Sequence, residues 1–411
     1  MVTDRLDSLA AETVEEVQSL WRRIDGLALA NQRVVLEAFR TARISDFHLR
    51  GSTGYGYGDA GRAGLEAVYA RVFGAEAALV RPQIVSGTHA LALCLYGVLR
   101  PGDRLLAVQG RPYDTLEAII GGEPGSLAEW GIEYSQIDLL PDGGLDEEAI
   151  TEAVALKPRA VLLQRSGGYS WRRGLVLKEL GTIISLIKKR APDTVVVVDN
   201  CYGEFVETHE PPAVGADLCA GSLIKNPGGG IAPTGGYVVG RKELVAMAAN
   251  RLTAPGLGWE VGPTLDCQRL LCQGFFLAPH FVAEALKGAV FAARFFERLG
   301  FDVLPRFNEP RSDIVQGVCL GSPELLLSFC RGIQAASPVD AHVRPEGGPL
   351  PGYRDDVVMA AGTFVQGASL ELTADAPMRE PYAAYLQGGL SKEHVILGAL
   401  AAARAVCQKK G

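Results

Sequence analysis

With 411 residues, 48% of them hydrophobic and 21% charged, the chain has the apolar mass for a large core and the length of roughly two to three domains. A net charge of −7 and the lack of any basic run disfavour a polyanion-binding surface, so nucleic acid is not an expected partner. No uninterrupted apolar run approaches the ~20 residues that span a bilayer, and the acidic start MVTDRLDSLAAETVEE lacks the apolar stretch of a signal peptide. The expectation is a soluble, cytoplasmic protein without a membrane partner. Eight cysteines without CxxC pairs, most in apolar stretches such as Leu93-Cys94-Leu95, read as reduced core residues. Neither they nor the six histidines carry metal-ligand spacing.

Residues 4–43 read as helical, with Leu6, Leu9, Val14, Val17, Trp21, Ile24, Leu27 and Leu29 near helical spacing. This N-terminal arm, 1–50, is expected to pack across the body or onto a partner subunit. GSTGYGYGDAGR, 51–62, is too rich in glycine for regular structure. Its two tyrosines, Tyr55 and Tyr57, and the following Arg62 leave an active-site loop and a flexible linker as equal readings.

From residue 63 to 250 apolar runs alternate with helical patterns. EAALV (76–80), RLLAVQ (104–109), IEYSQI (132–137), RAVLLQ (159–164), TVVVVD (194–199) and DLCAGSL (217–223) read as strands. RAGLEAVYARVF, GTHALALCLYGVLR, EEAITEAVAL and LKELGTIISLIKKR read as the helices between them. The alternation predicts an α/β fold with a mostly parallel sheet covered by helices on both faces, in a large domain over 51–290. A long apolar helical stretch, 263–299, then leads to a smaller α/β domain over 291–411. There FDVLP, IVQGVCL, VVMAAGTF and SLELT read as strands, PELLLSFCRGIQAA and HVILGALAAARAV as helices, and APMREPY and RPEGGPLPGYRDD as loops.

Ligands of such sheets collect at the carboxyl ends of the strands, so the residues that follow each strand share one rim. Asp199 closes the apolar run TVVVVD, and Ser222 and Lys225 close DLCAGSLIK before a glycine-rich loop. A buried acid and a lysine on one rim are what pyridoxal 5'-phosphate chemistry requires. The lysine binds the cofactor aldehyde as a Schiff base, and the carboxylate keeps the pyridine nitrogen protonated so that the ring draws electrons. Taken singly, each has a blander role, Lys225 as a solvated loop residue and Asp199 as a helix cap.

Ser86, Gly87 and Thr88 precede an apolar helix, where backbone N–H groups and the helix dipole favour a phosphate; an ordinary N-cap is the competing reading. Ser222 can add a hydroxyl from the opposite side. Tyr113, just past RLLAVQ, can stack on the pyridine ring, with His89 as the rival stacker. In Gln164-Arg165-Ser166, and at Tyr202, a polar side chain can bond the cofactor's phenolic oxygen. For the carboxylate of an amino-acid substrate the candidates are Arg379, Arg62, and Arg172 or Arg173.

These motifs carry a resemblance. Y-G-Y-G-D-A-G-R, V-S-G-T-H-A, P-Y-D-T-L, Q-R-S-G-G-Y-S-W-R, V-D-N-C-Y-G-E-F, G-S-L-I-K-N-P-G-G-G-I-A-P-T-G-G-Y and A-D-A-P-M-R-E-P-Y resemble the aluminium-resistance protein family. That family is related to methionine γ-lyase and cystathionine β-lyase among the fold type I pyridoxal-phosphate enzymes. The resemblance implies the aspartate aminotransferase fold with a seven-stranded sheet, and a homotetramer built as a dimer of dimers. It implies Lys225 as the Schiff-base residue, Asp199 as the pyridinium partner, Gly87, Thr88 and Ser222 at the phosphate, and Tyr113 on the ring. Tyr55 and Tyr57 are then expected to reach in from the neighbouring subunit.

The function so implied is β- or γ-elimination on a sulfur-containing amino acid. Lys225 moves the α-proton, and Tyr57 or Tyr113 assists the leaving group. An aminotransferase on the same scaffold is the first alternative, and a non-catalytic carrier of the cofactor the second.

Overall fold

The computed structural model describes residues 2–410. Its first elements are α1 (Val2–Thr41), α2 (Ala60–Phe73), β1 (Ala77–Arg81), α3 (Gly87–Val98), β2 (Arg104–Ala107), α4 (Asp114–Ile120) and β3 (Glu133–Gln136). The chain continues through α5 (Glu147–Ala155), β4 (Ala160–Gln164), α6 (Leu177–Arg190), β5 (Val195–Asp199), β6 (Leu218–Ser222), β7 (Gly236–Gly240) and α7 (Lys242–Leu252). The long α8 (Gln268–Arg298) leads to β8 (Val303–Leu304), β9 (Gln316–Cys319), α9 (Pro323–Ala335) and β10 (Gly347–Gly348). Last come β11 (Val357–Ala360), β12 (Thr373–Pro377), β13 (Ala383–Gln387) and α10 (Lys392–Lys410).

Strands β1 to β7 form one sheet in the order β1-β7-β6-β5-β4-β2-β3. From β6 through β5, β4 and β2 to β3 the pairs are parallel, while β7 is antiparallel to both β1 and β6. Every residue of β4, β5 and β6 is buried, as expected of central strands covered on both faces. β7 was not expected, because only Tyr237, Val238 and Val239 stand between its flanking glycines. The second sheet is antiparallel in the order β10-β11-β12-β13-β9-β8.

Two features of the second sheet differ from expectation. The strand anticipated at SLELT, 369–373, lies four residues on, at Thr373–Pro377, and β13 occupies a segment with no expected strand. The sequence TADAP contains an aspartate and a proline, both poor strand formers, so propensity hides it; its five residues are nevertheless all buried.

The expected domain boundary at 290/291 falls inside α8, which runs through it unbroken. Its first half, including Leu271, Phe275 and Val282, packs in a core beside the large sheet. Its second half, including Phe291, Phe295 and Phe296, packs with Phe329 and Ile333 of α9. One continuous apolar helix thus serves both cores. By length and composition α8 and the turn before it, Leu265–Arg298, suffice to cross a membrane, but 78% of the apolar window is buried inside the protein, the mark of a core helix. α1 packs along α8, with Leu6, Ala10, Val17 and Trp21 in the small-domain core and Val35 and Ala38 in the large-domain core.

Candidate active site

The carboxyl ends of β4, β5 and β6 open onto a cavity of about 240 Å³ closed on the far side by the small domain. Gln164, Asp199 and Ser222 are the last residues of those strands, and all three line it. Lys225 stands three residues beyond β6 at the start of a tight turn, Asn226–Gly228, and also lines it. That turn tolerates no side chain at Gly228, where a Cβ would lie 1.7 Å from the Leu223 carbonyl oxygen. Asn226, fully buried, donates to the carbonyls of Tyr202 (2.8 Å) and Glu204 (2.9 Å) and so ties the lysine turn to the loop after β5.

Asp199 is buried, with Oδ1 accepting from the Cys201 backbone N–H at 3.0 Å. Burial raises its carboxyl, while the Lys225 charge and the Cys201 N–H oppose the shift. Burial pushes the Lys225 ammonium down, but Cys201, Tyr202 and Asp199 together outweigh it and hold the group above the usual lysine range. The Lys225 Nζ sits 3.7 Å above the centre of the Tyr202 ring. Tyr202 takes a left-handed backbone, φ 71°, which turns its ring beneath the lysine.

The N-terminus of α3 also borders the cavity. Ser86 is its N-cap, with Oγ accepting from the His89 N–H at 3.0 Å, so the capping reading holds for this hydroxyl. Gly87 and Thr88 follow on the cavity surface. A Cβ at Gly87 would lie 2.8 Å from Cys201 Sγ and 3.5 Å from Ser222 Cβ, so the helix start needs glycine to approach the strand ends. Thr88 Oγ1 and Thr115 Oγ1 are 2.8 Å apart. The N–H groups of this helix start carry the positive end of the helix dipole and lie close to Ser222, an arrangement that favours an anion.

Tyr113 also lines the cavity. Its ring meets Tyr169 edge-on at 5.4 Å and Tyr353 at 5.8 Å, and its hydroxyl is hydrogen-bonded to that of Tyr353. His89 is not on the cavity wall; its Nδ1 accepts from the Val85 N–H.

Several expected residues lie elsewhere. Arg165 follows Gln164, and successive strand residues point to opposite faces, so Gln164 faces the cavity and Arg165 the other side. There Arg165 is fully buried and pairs with Glu207 (2.8 Å) and Glu210 (3.2 Å), besides Asn200 (3.0 Å). It braces the strand end and is not positioned to bond a ligand. Arg62 is buried too, its guanidinium donating to the carbonyls of Gly56 (2.9 Å), Gly262 (2.6 Å) and Glu260 (3.2 Å). Three of its donors hold the tyrosine loop, and the side chain is not on the cavity wall of its own chain.

Arg379 lies behind Tyr113 and Tyr169, in a neighbouring cavity, between Asp355 (2.9 Å) and Asp114 (3.4 Å). Two carboxylates already match its charge. Arg172 is turned inward to the Gln109 carbonyl and to Gln164 Oε1, and Arg173 pairs with Glu179 on the surface. Among the described residues, Lys225 is thus the only cationic side chain on the cavity wall. Tyr55 and Tyr57 stack on each other at 5.3 Å and stand exposed, 71% and 65%, away from the cavity of their own chain.

Tyr353, Tyr169, Ser369, Thr373, Asp375 and Gln387 also line the cavity, and sequence reasoning does not single them out. Tyr169 stands in QRSGGYSW and Asp375 in ADAPMREPY, both within the quoted motifs, so those motifs were the available signal. Tyr353 comes from the loop RPEGGPLPGYRDD, which has no periodicity to mark it.

A family model described as methionine gamma-lyase matches residues 6–407. The uncharacterized protein YnbB of Bacillus subtilis is 49% identical over 409 residues, covering 98% of this chain and 97% of its own. A carbon-sulfur lyase involved in aluminum resistance from Clostridium novyi NT is 48% identical, with 97% of this chain and 95% of that chain covered and a TM-score of 0.93. A Listeria monocytogenes protein named as a candidate cystathionine beta-lyase involved in aluminum resistance is 49% identical, covering 97% and 100%, with a TM-score of 0.94. The pyridoxal-5'-phosphate dependent protein YhfS of Escherichia coli, 18% identical over 94% of this chain and 97% of its own, shares the fold with a TM-score of 0.60. The architecture is that of the fold type I pyridoxal-phosphate enzymes.

Proposed function

Because the chain belongs to the methionine gamma-lyase family, we propose that it is a pyridoxal-phosphate-dependent carbon–sulfur lyase acting on a sulfur-containing amino acid by β- or γ-elimination. The observation that carries this reading is the convergence of Asp199, Lys225 and the α3 N-terminus on one cavity. Asp199 and Lys225, buried groups of opposite charge, line it together with a helix start whose N–H groups favour an anion. Pyridoxal 5'-phosphate bears complementary groups: a pyridine nitrogen, an aldehyde and a phosphate. The residues present therefore fit the group. When bound, the cofactor supplies an electron sink for charge developing at the substrate α-carbon.

Lys225 Nζ would carry the aldehyde carbon and, once released, move the proton at the substrate α-carbon. Asp199 would hold the proton on the ring nitrogen, and its burial strengthens that interaction by excluding water. The N–H groups of Gly87 and Thr88, with the hydroxyl of Ser222, would hold the phosphate, and Ser86 would cap the helix that presents them. Tyr113 would cover one ring face, and its hydroxyl is a candidate to protonate the leaving group. Tyr55 and Tyr57, exposed on a loop pinned by Arg62, would act in the cavity of a second copy, in a homotetramer built as a dimer of dimers.

Purified protein should show a visible absorption band, and borohydride should fix the cofactor on Lys225. Lys225→Ala should lose both the label and turnover. A label that survives in Lys225→Ala would remove the basis of the proposal. In a panel of sulfur amino acids the enzyme should release keto acid, ammonia and thiol without an amino acceptor. Turnover only with an acceptor would identify an aminotransferase, and none with any amino acid a carrier.

A further inference from the structure

Tyr353 is carried to the cavity wall by a hairpin tip of the small domain. β10 and β11 pair through Gly347 with Val358 and Gly348 with Val357, and residues 349–356 run from this edge of the small sheet to α4 of the large domain. Three contacts seat the tip on the start of α4, the helix for which Tyr113 is the N-cap. A Cβ at Gly352 would lie 3.0 Å from Thr115 Cγ2, and its φ of 84° is left-handed, so glycine is what lets the backbone lie on the helix there. Arg354 pairs with Glu117 (3.4 Å), and Asp355 with Arg379 (2.9 Å), which also reaches Asp114 (3.4 Å). The neighbours of Tyr353 on both sides are thus tied to the residues that follow Tyr113, which brings the two tyrosines together independently of their own contact.

The two rings meet edge-on, with an interplanar angle of 89°, and their hydroxyls are hydrogen-bonded to each other. Two hydroxyls joined by one hydrogen bond use one proton between them and keep the other. Tyr169, on which Tyr353 stacks at 5.9 Å, has no such spare proton: its hydroxyl donates to Asp375 Oδ2 and accepts from Gln387 Nε2 at 3.3 Å. Burial holds the Tyr113 and Tyr353 phenols above the usual tyrosine range, so both carry their protons at neutral pH. Tyr202 adds to the shift at each, while the bond to Tyr113 and the Lys225 charge oppose it at Tyr353. The pair therefore lies within electrostatic reach of the cavity floor.

We infer that Tyr353 is a positioning residue whose hydroxyl donates to the Tyr113 oxygen and so leaves the Tyr113 proton for the departing sulfur of the substrate. This rests on the proposed lyase reading. As the carbon–sulfur bond breaks, its electron pair leaves with the sulfur, and the Tyr113 proton joins it to give the thiol. The Tyr353 hydrogen bond stabilises the charge left on the Tyr113 oxygen, and water returns a proton to Tyr113 before the next turnover. The assistance matters most for an alkanethiolate, a strong base that leaves poorly without a proton, and least for a nitrothiophenolate, which leaves readily as the anion.

Steady-state kinetics of the holoenzyme with S-ethyl-L-cysteine and S-(4-nitrophenyl)-L-cysteine, or with the corresponding homocysteine pair, test this. Tyr353→Phe keeps the ring and its stacking on Tyr169 and removes only the hydroxyl. It should lower kcat/KM about tenfold for the S-ethyl substrate, the scale of one hydrogen bond, and no more than ~2-fold for the nitrophenyl one. Added to Tyr113→Phe, it should change neither. A purely structural role would slow both substrates alike, so equal losses in Tyr353→Phe would overturn the inference. A second readout needs no turnover: in apoprotein carrying 13C at tyrosine Cζ, the Tyr113 resonance, assigned through Tyr113→Phe, should move in Tyr353→Phe. An unmoved resonance would overturn the inference and leave the lyase reading standing. Failure of the wild type to release thiol from any of these substrates would instead sink the lyase reading, and the leaving-group role with it.

Discussion

The two halves of the cavity are constructed differently. On the large-domain side, charged groups stand at the ends of buried strands and are braced from behind. Arg165, Glu207, Glu210, Asn200, Tyr237 and Glu204 form one buried network on the far face of the strand ends that carry Gln164 and Asp199. On the small-domain side Ser369, Thr373, Asp375 and Gln387 line the cavity, and no ion pair braces them from behind among the described residues. A braced half suits chemistry that needs fixed geometry, and a polar half without such bracing suits recognition. Under the proposed lyase reading, the difference separates where the reaction would be run from where its substrate would be chosen.

The sharpest way to break that division is to neutralise the braced half. Asp199→Asn should lower kcat/KM by roughly 10²–10³-fold, the scale for losing one preorganised electrostatic contact, with steady-state kinetics as the measurement. A loss confined to discrimination between substrates would instead place Asp199 with the recognising half.

The bracing itself is tested one layer back. Arg165→Leu leaves Glu210 buried without its cation and should cost about 3–5 kcal/mol in denaturant unfolding. A stable variant that has lost cofactor affinity would return Arg165 to the ligand-binding role expected from its place after a strand.

A smaller effect belongs to Glu204. It is fully buried, its Oε1 accepts the Tyr237 hydroxyl at 2.7 Å, its Oε2 has no partner, and burial pushes its carboxyl up to about 8. Because the folded value lies above that of the unfolded chain, folding favours the protonated form. Its contribution is therefore complete below the ordinary glutamate range and is lost as pH rises toward 8. The wild type should melt at falling temperatures across that window, and Glu204→Gln should flatten the profile. Parallel profiles would show that Glu204 shares its proton elsewhere in the network.

The halves also differ in how far they could be read before folding. Asp199, Ser222 and Lys225 announce themselves, since each ends or closely follows an apolar run, and parallel strands bring such ends to one rim. Arg165 misled for a local reason: the rim rule selects the residues after a strand, but strand alternation sends neighbours to opposite faces. Arg62 and Arg379 misled because an arginine's partners, carbonyls for the first and carboxylates for the second, come from distant segments. Asp375 was hidden because TADAP does not look like a strand.

By itself, then, the sequence determined the alternating α/β plan, the lysine and acid of the cavity floor, and the small helix start that faces them. Those follow from hydrophobic periodicity and from what strand ends and helix starts do locally. Only the tertiary structure decided that β7 closes the gap between β1 and β6, that α8 serves two cores, and that no described arginine reaches the cavity. It also decided that Ser369, Thr373, Asp375 and Gln387 of the small domain share the cavity wall with Asp199 and Lys225. Those facts depend on which distant side chains become neighbours, and satisfaction of a buried polar group is a property of its neighbours rather than of its place in the chain.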